Sequence, residues 1–407
     1  MKINLQDTIA NVLVCQDKLG AQAGPADLTE SKLEQNLLFT IARHQNALDW
    51  LIDKHASGKV KLRTRKVLRW ALAEIICMDG VPAPHVVDVA TAFVKRRYSP
   101  HEAGFVNATL RTICTIIQQG DDLFQDAPLH VRLRLPEILW LKWIRQFGEE
   151  QTTILANDIL QQASTCLRLR TFPPQKDPTI PKELQKLQPF PWAPDQAFFT
   201  TTKRAKLKEI LKGKTKFYVQ DPATLLAPTM LQPKPGEVIA DPCAAPGGKS
   251  VAIAEMMKDC GILLASDVNP NKLDTLRENL KPFTCASISQ QDATEFKPPS
   301  LLDGTILDVP CSNTGVLRRR PDAKWTFSNK KLDELVEIQA KILDNTAKYI
   351  KKNGRIVYST CSIEHDENLA QIQKFLERNQ DFILEEHQLI LPTTDHDGAF
   401  AARLRRR

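Results

Sequence analysis

The stretch DPCAAPGGKS, residues 241–250, decides how the C-terminal half of the chain is read. It follows the short apolar run GEVIA (236–240) and precedes VAIAEMM (251–257). The first run predicts a buried strand and the second predicts the start of a helix. An acid at a strand end, then Pro and small residues, then Gly247-Gly248, then a helix N-terminus is how an open α/β sheet presents a turn to a ligand. Glycines let backbone approach the ligand closely, and the first helical turn offers N–H groups without intrahelical partners. Two nucleotide motifs are excluded. A P-loop requires Gly five residues before Gly248, where Cys243 stands, and the fingerprint G-x-G-x-x-G is absent.

From residue 236 onward, strand and helix patterns alternate. Residues 262–266 (ILLAS) predict a strand ending in Asp267, 272–280 a helix, 287–289 a strand leading to Asp292, and 304–307 (GTIL) a strand ending in Asp308. A helix over 332–350 follows, which Asn353-Gly354 is expected to end, and then the strand RIVYS (355–359). This alternation predicts a mostly parallel sheet with helices on both faces. Asp241, Asp267, Asp292 and Asp308 then fall at the strand ends that line one crevice. Asp267 lies about 20 residues beyond the glycine turn, where an acid takes the hydroxyls of a ribose. A nucleoside-bearing ligand without a diphosphate cradle points to S-adenosylmethionine and away from NAD.

The N-terminal 120 residues predict helices almost throughout. Apolar stripes run through Leu5, Ile9, Val12 and Leu13, through Leu33, Leu37, Leu38, Ile41 and Ala42, and along 65–78, 86–96 and 104–117. Thr29 is the expected cap of the second helix, with Lys32 where a capping box would carry Glu or Gln. Residues 121–170 keep helical character, with Trp140 and Trp143 as packing positions and LRLRT (167–171) as a strand. Prolines at 173, 174, 178, 181, 189, 191 and 194 then predict a small irregular α+β region.

The chain has 407 residues, enough for two or three domains, and its apolar and charged fractions are those of a globular protein. A net charge of +7 and a pI near 8.8 permit a polyanionic partner. Basic residues gather at Lys54, Lys59, Lys61, Arg63, Arg65, Lys66 and Arg69, with Asp53 as the only acid near that cluster, and again at Lys95–Arg97. Such runs are either solvated helix faces or RNA contacts. The segment 203–216 carries Lys203, Arg204, Lys206, Lys208, Lys212, Lys214 and Lys216 against a single Glu209, and is expected to track a nucleic-acid backbone. Nine scattered cysteines show neither a disulfide framework nor a zinc spacing, so no metal is expected and a reducing compartment is. With neither a signal-peptide core nor a membrane-spanning run, a cytoplasmic protein is expected.

Two cysteines follow neighbouring strands of the same edge: Cys311 in DVPC (308–311) and Cys361 in STCS (359–362). Most cysteines are inert packing residues. Two of them beside a cofactor crevice have a chemical use, however. Carbon 5 of a pyrimidine is a poor nucleophile until a thiolate adds to carbon 6, and a second group is then needed to release the product. Asp308 is placed to hold the base edge. Spacing alone leaves open which cysteine attacks.

At these residues the chain resembles the NOL1/NOP2/Sun family of RNA cytosine-5 methyltransferases. The resemblance rests on DPCAAPGGKS, DVPCSNTGVLRRRPDAKW (308–325) and YSTCSIEHDEN (358–368), supported by FYVQDPATLLAP (217–228) and HDGAFAARL (396–404). The helical N-terminal part, ending in GFVNATLR (104–111), resembles a NusB-type domain. The resemblance implies an all-α NusB-like domain (1–125), a connecting helical and α+β RNA-binding region (126–215), and a Rossmann-like α/β methyltransferase domain (216–407). It implies Cys361 as nucleophile, Cys311 as the group that releases product, and Asp308 and Lys249 near the target base. Cys243, Ala244, Ala245, Pro246, Gly247, Gly248, Lys249, Asp267, Lys272, Asp292 and Asp308 match the positions that hold S-adenosylmethionine. Lys203, Arg204, Lys206, Lys212 and Lys214 are the expected RNA contacts. The implied partner is 16S rRNA or a small-subunit precursor, bound by a monomer. The alternatives are a non-catalytic rRNA-binding assembly factor, or the same chemistry on another RNA such as tRNA. Three positions depart from the family pattern: Pro242 precedes Cys243 where an aliphatic residue is usual, Asn313 replaces a usual Gly, and His365 replaces a common Pro.

Overall fold

The computed structural model describes residues 5–19, 24–78, 80–172, 180–201, 204–211 and 216–407. The chain divides into two compact units: Met1–Leu160 with Arg319–Phe327, and Gln161–Arg318 with Ser328–Arg407.

The first unit is helical. It contains α1 (Leu5–Gln16), α2 (Lys32–His55), α3 (Leu62–Cys77), α4 (Ala83–Arg97), α5 (Pro100–Gln119), α6 (Leu129–Arg132), α7 (Glu137–Phe147) and α8 (Glu149–Leu160). Apolar residues at helical spacing build its core, among them Ile9, Val12, Leu37, Leu38, Ile41, Val67 and Trp70. The side chain of Leu5 lies outside the described residues. The cap of α2 is Ser31, which accepts from the Glu34 N–H, and not Thr29 as expected. Ser31 and Glu34 have the capping-box spacing, but the Glu34 carboxylate turns to Asn11 at 3.0 Å and Thr29 at 2.5 Å. Trp140 and Trp143 are buried, as their packing role requires.

The basic run at 54–69 meets acids that are remote in sequence. Lys54 pairs with Asp126 at 3.0 Å, Lys61 with Glu102 at 3.1 Å and Arg69 with Asp49 at 2.6 Å. Arg63 pairs with Glu102, Arg65 with Asp53 and Lys66 with Asp17. Asp53 is therefore one acid of five in that neighbourhood, and most of the charge of this run is neutralised within the unit.

The segment 319–327 belongs to this helical unit although it lies in the C-terminal half of the sequence. Its short helix Ala323–Thr326 inserts two side chains. Lys324 is 1% exposed and donates to the carbonyls of Arg43 (2.8 Å) and Arg134 (2.6 Å). Trp325 Nε1 donates to the Ala42 carbonyl at 2.5 Å. Burial, with Arg43 and Arg134 nearby, pulls the Lys324 ammonium well below the usual lysine range.

The second unit contains two sheets. Strands β1 (Thr165–Leu169), β2 (Gln185–Lys186), β3 (Phe198–Thr201) and β4 (Phe217–Val219) form a small antiparallel sheet in the order β2-β3-β1-β4. Pro173, Pro174 and Pro178 lie outside the described residues. So do Lys203, Lys212 and Lys214, and the side chains of Arg204 and Lys206, whose backbone forms the helix Arg204–Leu211.

Strands β5 (Val238–Asp241), β6 (Ile262–Asp267), β7 (Ala286–Gln290), β8 (Leu302–Asp308), β9 (Ile350–Thr360), β10 (Phe382–Ile390) and β11 (Ala399–Arg406) form the large sheet, in the order β10-β11-β9-β8-β5-β6-β7. Strands β5 to β9 are mutually parallel, and β11 runs antiparallel between β9 and β10. Helices Gly248–Met256, Pro270–Leu280 and Asn329–Ala347 connect the parallel strands. The last of these ends at Ala347, and Asn353-Gly354 do not terminate it. They lie within β9, where residues 351–354 bulge opposite Asp303 and Asn353 takes a φ of 65°. A left-handed residue suits either a helix end or a bulge, so the local signal was real and its assignment was not.

The two sheets are joined by a buried ion cluster. Arg168 of β1 donates to Glu255 of the helix Gly248–Met256 at 2.5 Å, and Arg170 donates to the same carboxylate at 2.8 Å. Arg168 also donates to Gln220 (2.7 Å), which in turn donates to the Gly248 carbonyl (3.0 Å). The small sheet is thereby fixed against the helix that opens the glycine turn.

Candidate active site

The strand order reverses between β5 and β8, so the C-terminal ends of these two strands flank the topological switch point, where open α/β sheets bind ligands. Asp241 ends β5 and Asp308 ends β8. Gly247 sits at a φ of 111°, and a Cβ there would come within 2.9 Å of Leu276. The turn at this point therefore requires glycine on both backbone and packing grounds.

A cleft opens there. Cys243, Ala244, Ala245, Pro246, Gly248, Lys249 and Asp308 line it, with Asp241. Its other wall is Tyr218, Val219, Gln220, Asp221 and Thr224, a wall the sequence reading did not assign. The quoted segment 217–228 held the signal, but no strand of the large sheet leads to it. Asp267, at the end of β6, accepts the N–H groups of Ala245 (3.1 Å) and Asn269 (2.9 Å), and so ties the turn to the next strand. Gly247 packs against Leu276 and Asn279, away from the cleft lining. Asp292 accepts from the backbone and hydroxyl of Thr294, and Lys272 is exposed on its helix; neither lines the cleft.

Lys249 donates to Asp308 at 2.6 Å. Burial pulls the Lys249 ammonium down, but the Asp308 carboxylate outweighs it and the net shift is upward. Lys249 thus stays charged, and Cys361 lies within reach of its field. Asp241 is fully buried. It accepts from Ser250 at 2.5 Å through Oδ2, while Oδ1 accepts no hydrogen bond among the described residues.

Burial, with Asp308 adding repulsion, pushes Asp241 up to about 7. A carboxyl raised in the folded state holds its proton more tightly folded than unfolded. Its contribution to stability is therefore greatest below about pH 4 and is lost as pH rises to about 7. The full span is on the order of 4 kcal/mol. Urea midpoints of the ligand-free protein should carry this decline between pH 4 and pH 7.5, and Asp241→Asn should remove it. An equal decline in both proteins would contradict the assignment.

The two strand-end thiols meet. Cys311 Sγ and Cys361 Sγ are 3.3 Å apart. Cys361 donates to Asn313 Oδ1 at 3.2 Å, and Asn313 Nδ2 donates to the Cys311 carbonyl at 3.0 Å. The hydrogen bond to Cys361, then burial, holds the Cys311 thiol well above the usual cysteine range. Two further contacts fix the loops. The Gly315 N–H donates to the Cys361 carbonyl (2.9 Å), and buried Glu367 accepts the N–H (2.9 Å) and hydroxyl (2.5 Å) of Ser312. A Cβ on Gly315 would lie 2.7 Å from the Cys361 carbonyl oxygen, so this position also has no room for a side chain.

Cys243 lies in the wall of the cleft, and burial raises its thiol well above the usual range. This is the behaviour of a packing residue. Among the described residues no group of His, Cys, Asp or Glu could hold a metal ion, and no helix is long and apolar enough to cross a membrane.

Residues 228–405 match the family model described as 16S rRNA methyltransferase RsmB/F, and residues 1–115 match the NusB family. Ribosomal RNA small subunit methyltransferase B of Salmonella arizonae is 32% identical, over 92% of this chain and 90% of the relative. A probable ribosomal RNA small subunit methyltransferase B of Synechocystis is 28% identical over 99% of this chain and 97% of the relative. The crystal structure of PH0851 shares the fold with a TM-score of 0.75 at 20% identity, covering 99% of both chains. NSun6 from Pyrococcus horikoshii gives a TM-score of 0.57 at 20% identity, over 67% of this chain and 98% of that one.

Proposed function

As the chain belongs to the 16S rRNA methyltransferase family RsmB/F, we propose that it methylates carbon 5 of a cytosine in 16S rRNA through a covalent thiol adduct. The observation that carries this reading is the pair of thiols 3.3 Å apart at the edge of the cofactor crevice.

The methyl donor is S-adenosylmethionine, which supplies an electrophilic methyl group on a sulfonium. The cleft suits it. Ala244, Ala245 and Gly248 would leave room for it along the turn, and Asp267 stands at the strand end that would serve a ribose. On the RNA side, Cys361 loses its proton to solvent, and its thiolate adds to carbon 6. The electron pair moved to carbon 5 then takes the methyl group, as the methyl–sulfur bond of the donor breaks and its electrons stay on that sulfur, now a neutral thioether. Asp308, positioned by Lys249, holds the polar edge of the base.

The thiol pair sets the order of proton loss. The hydrogen bond to Cys361 keeps the Cys311 proton in place while Cys361 attacks. Once the Cys361 sulfur is bonded to carbon 6, the larger of the two causes is gone and burial remains. Cys311 then gives its proton to solvent and takes the carbon 5 proton. The electron pair of that C–H bond re-forms the ring double bond and expels Cys361 as thiolate. The helical unit and the basic segment 203–216 are assigned to RNA binding.

The test uses purified full-length protein, methyl-labelled S-adenosylmethionine, and 16S rRNA or small-subunit particles. The expected result is 5-methylcytosine at one position of 16S rRNA, located by bisulfite sequencing and nucleoside mass spectrometry. Label confined to tRNA would reassign the substrate. No transfer to any RNA, with RNA binding retained, would leave an assembly factor.

A further inference from the structure

Asn313 lies in the loop that follows Cys311. Its backbone conformation suits either glycine or asparagine. Asn313 has φ 60° and ψ 23°, the left-handed region that glycine and asparagine tolerate. Glycine would supply the turn and nothing more. Asparagine adds a carboxamide, and here both of its ends are used.

The Nδ2 group donates to the Cys311 carbonyl at 3.0 Å, which fixes the orientation of the amide. Its oxygen is thereby turned toward Cys361 Sγ at 3.2 Å. Were the amide reversed, an oxygen would face the Cys311 carbonyl and the anchoring bond would be lost. The loop itself is held by Glu367 on Ser312 and by the Gly315 N–H on the Cys361 carbonyl. The side chain cannot easily swing away from the sulfur.

We propose that Asn313 is a positioning residue for Cys361: its carboxamide oxygen holds the S–H group toward the Cys311 loop and restrains the thiol from ionising before RNA arrives. The proposal rests on the reading of Cys361 as the nucleophile. An acceptor oxygen stabilises a thiol, which donates, and opposes a thiolate, which cannot. Entry of the base into the thiol site would disturb this contact, so the reactive anion forms with its target present. Such restraint protects an open, half-buried sulfur from stray electrophiles and oxidants.

Two variants separate this role from a merely structural one. Asn313→Gly keeps the left-handed backbone and removes the acceptor. Asn313→Asp keeps the shape and adds a negative charge facing the sulfur. Iodoacetamide labelling of the full-length protein is followed across pH by mass spectrometry of the Cys361 peptide, without RNA or cofactor. Asn313→Gly should label Cys361 about three- to tenfold faster at neutral pH, the size expected for loss of one neutral hydrogen bond, with the acid limb moved to lower pH. Asn313→Asp should move that limb to higher pH. In methyl transfer, Asn313→Gly should lower kcat more than it changes KM for RNA, and its acid limb should shift in the same direction as the labelling. Labelling profiles of both variants that coincide with wild type, with Cys361→Ala inactive, would overturn the Asn313 proposal alone. Methyl transfer that survives Cys361→Ala would overturn the nucleophile reading beneath it, whatever the labelling shows.

Discussion

Cys361→Ala is expected to lose methyl transfer entirely, by a factor on the order of 10⁴ or more, while keeping its fold and its affinity for S-adenosylmethionine. The size follows from the chemistry. Without addition to carbon 6, carbon 5 has no electron pair to offer, and bringing donor and base together cannot replace that step. The fold should survive because Cys361 is half-buried and its backbone carries the local structure: its carbonyl accepts from Gly315, and the neighbouring Thr360 hydroxyl donates to Asn368 at 2.6 Å. Methylation kinetics, circular dichroism and cofactor titration check the three parts. The variant should also form no RNA adduct that survives denaturant. Retained methylation would transfer the nucleophile's role to Cys311, which the structure buries more deeply.

Cys311→Ala should fail at a different point. Attack by Cys361 remains possible without the neighbouring sulfur. Carbon 5 can then be methylated, but the C5 proton has no nearby base and the carbon–sulfur bond persists. A protein–RNA species should accumulate that carries the methyl label and resists denaturant. Turnover should fall by about 10²–10⁴-fold, the usual size of a lost general base. Gel electrophoresis in denaturant with labelled RNA and labelled cofactor reads both features at once. An adduct with Cys361→Ala and none with Cys311→Ala would exchange the two assignments.

The core of this site is legible in the sequence because short-range rules govern it. The strand–turn–helix at 236–257 and the acids at strand ends follow from hydrophobic periodicity and from the need for small residues beside a ligand. What escapes such rules depends on contacts between distant segments. Tyr218–Thr224 form a wall of the cleft because the small sheet is fixed to Glu255 by two arginines of β1 and its following residue, and local pattern does not reveal that bond. The basic run at 54–69 reads as open charge until Asp17, Glu102 and Asp126 fold onto it. Strand β10 carries Glu385, Glu386 and His387 in its middle and is largely exposed, so its alternation is weak. The thiol contact has the same origin. Cys311 and Cys361 meet because β8 and β9 are parallel neighbours, paired Asp308 to Ser359, and both loops leave the same edge.

Segment 319–327 has a consequence for how the protein is made. The helical unit cannot be completed by the first 160 residues alone, since Lys324 and Trp325 supply the donors for carbonyls of Ala42, Arg43 and Arg134. A ribosome adding about 5–20 residues per second would expose those carbonyls for on the order of ten seconds before their partners emerge. During that interval the nascent helices are an unfinished surface, and a fragment truncated after Leu160 would keep that defect permanently. The last step in closing the N-terminal fold thus waits until β8 and the Cys311 loop have been synthesised, so the older half of the chain matures only when the younger half is well advanced.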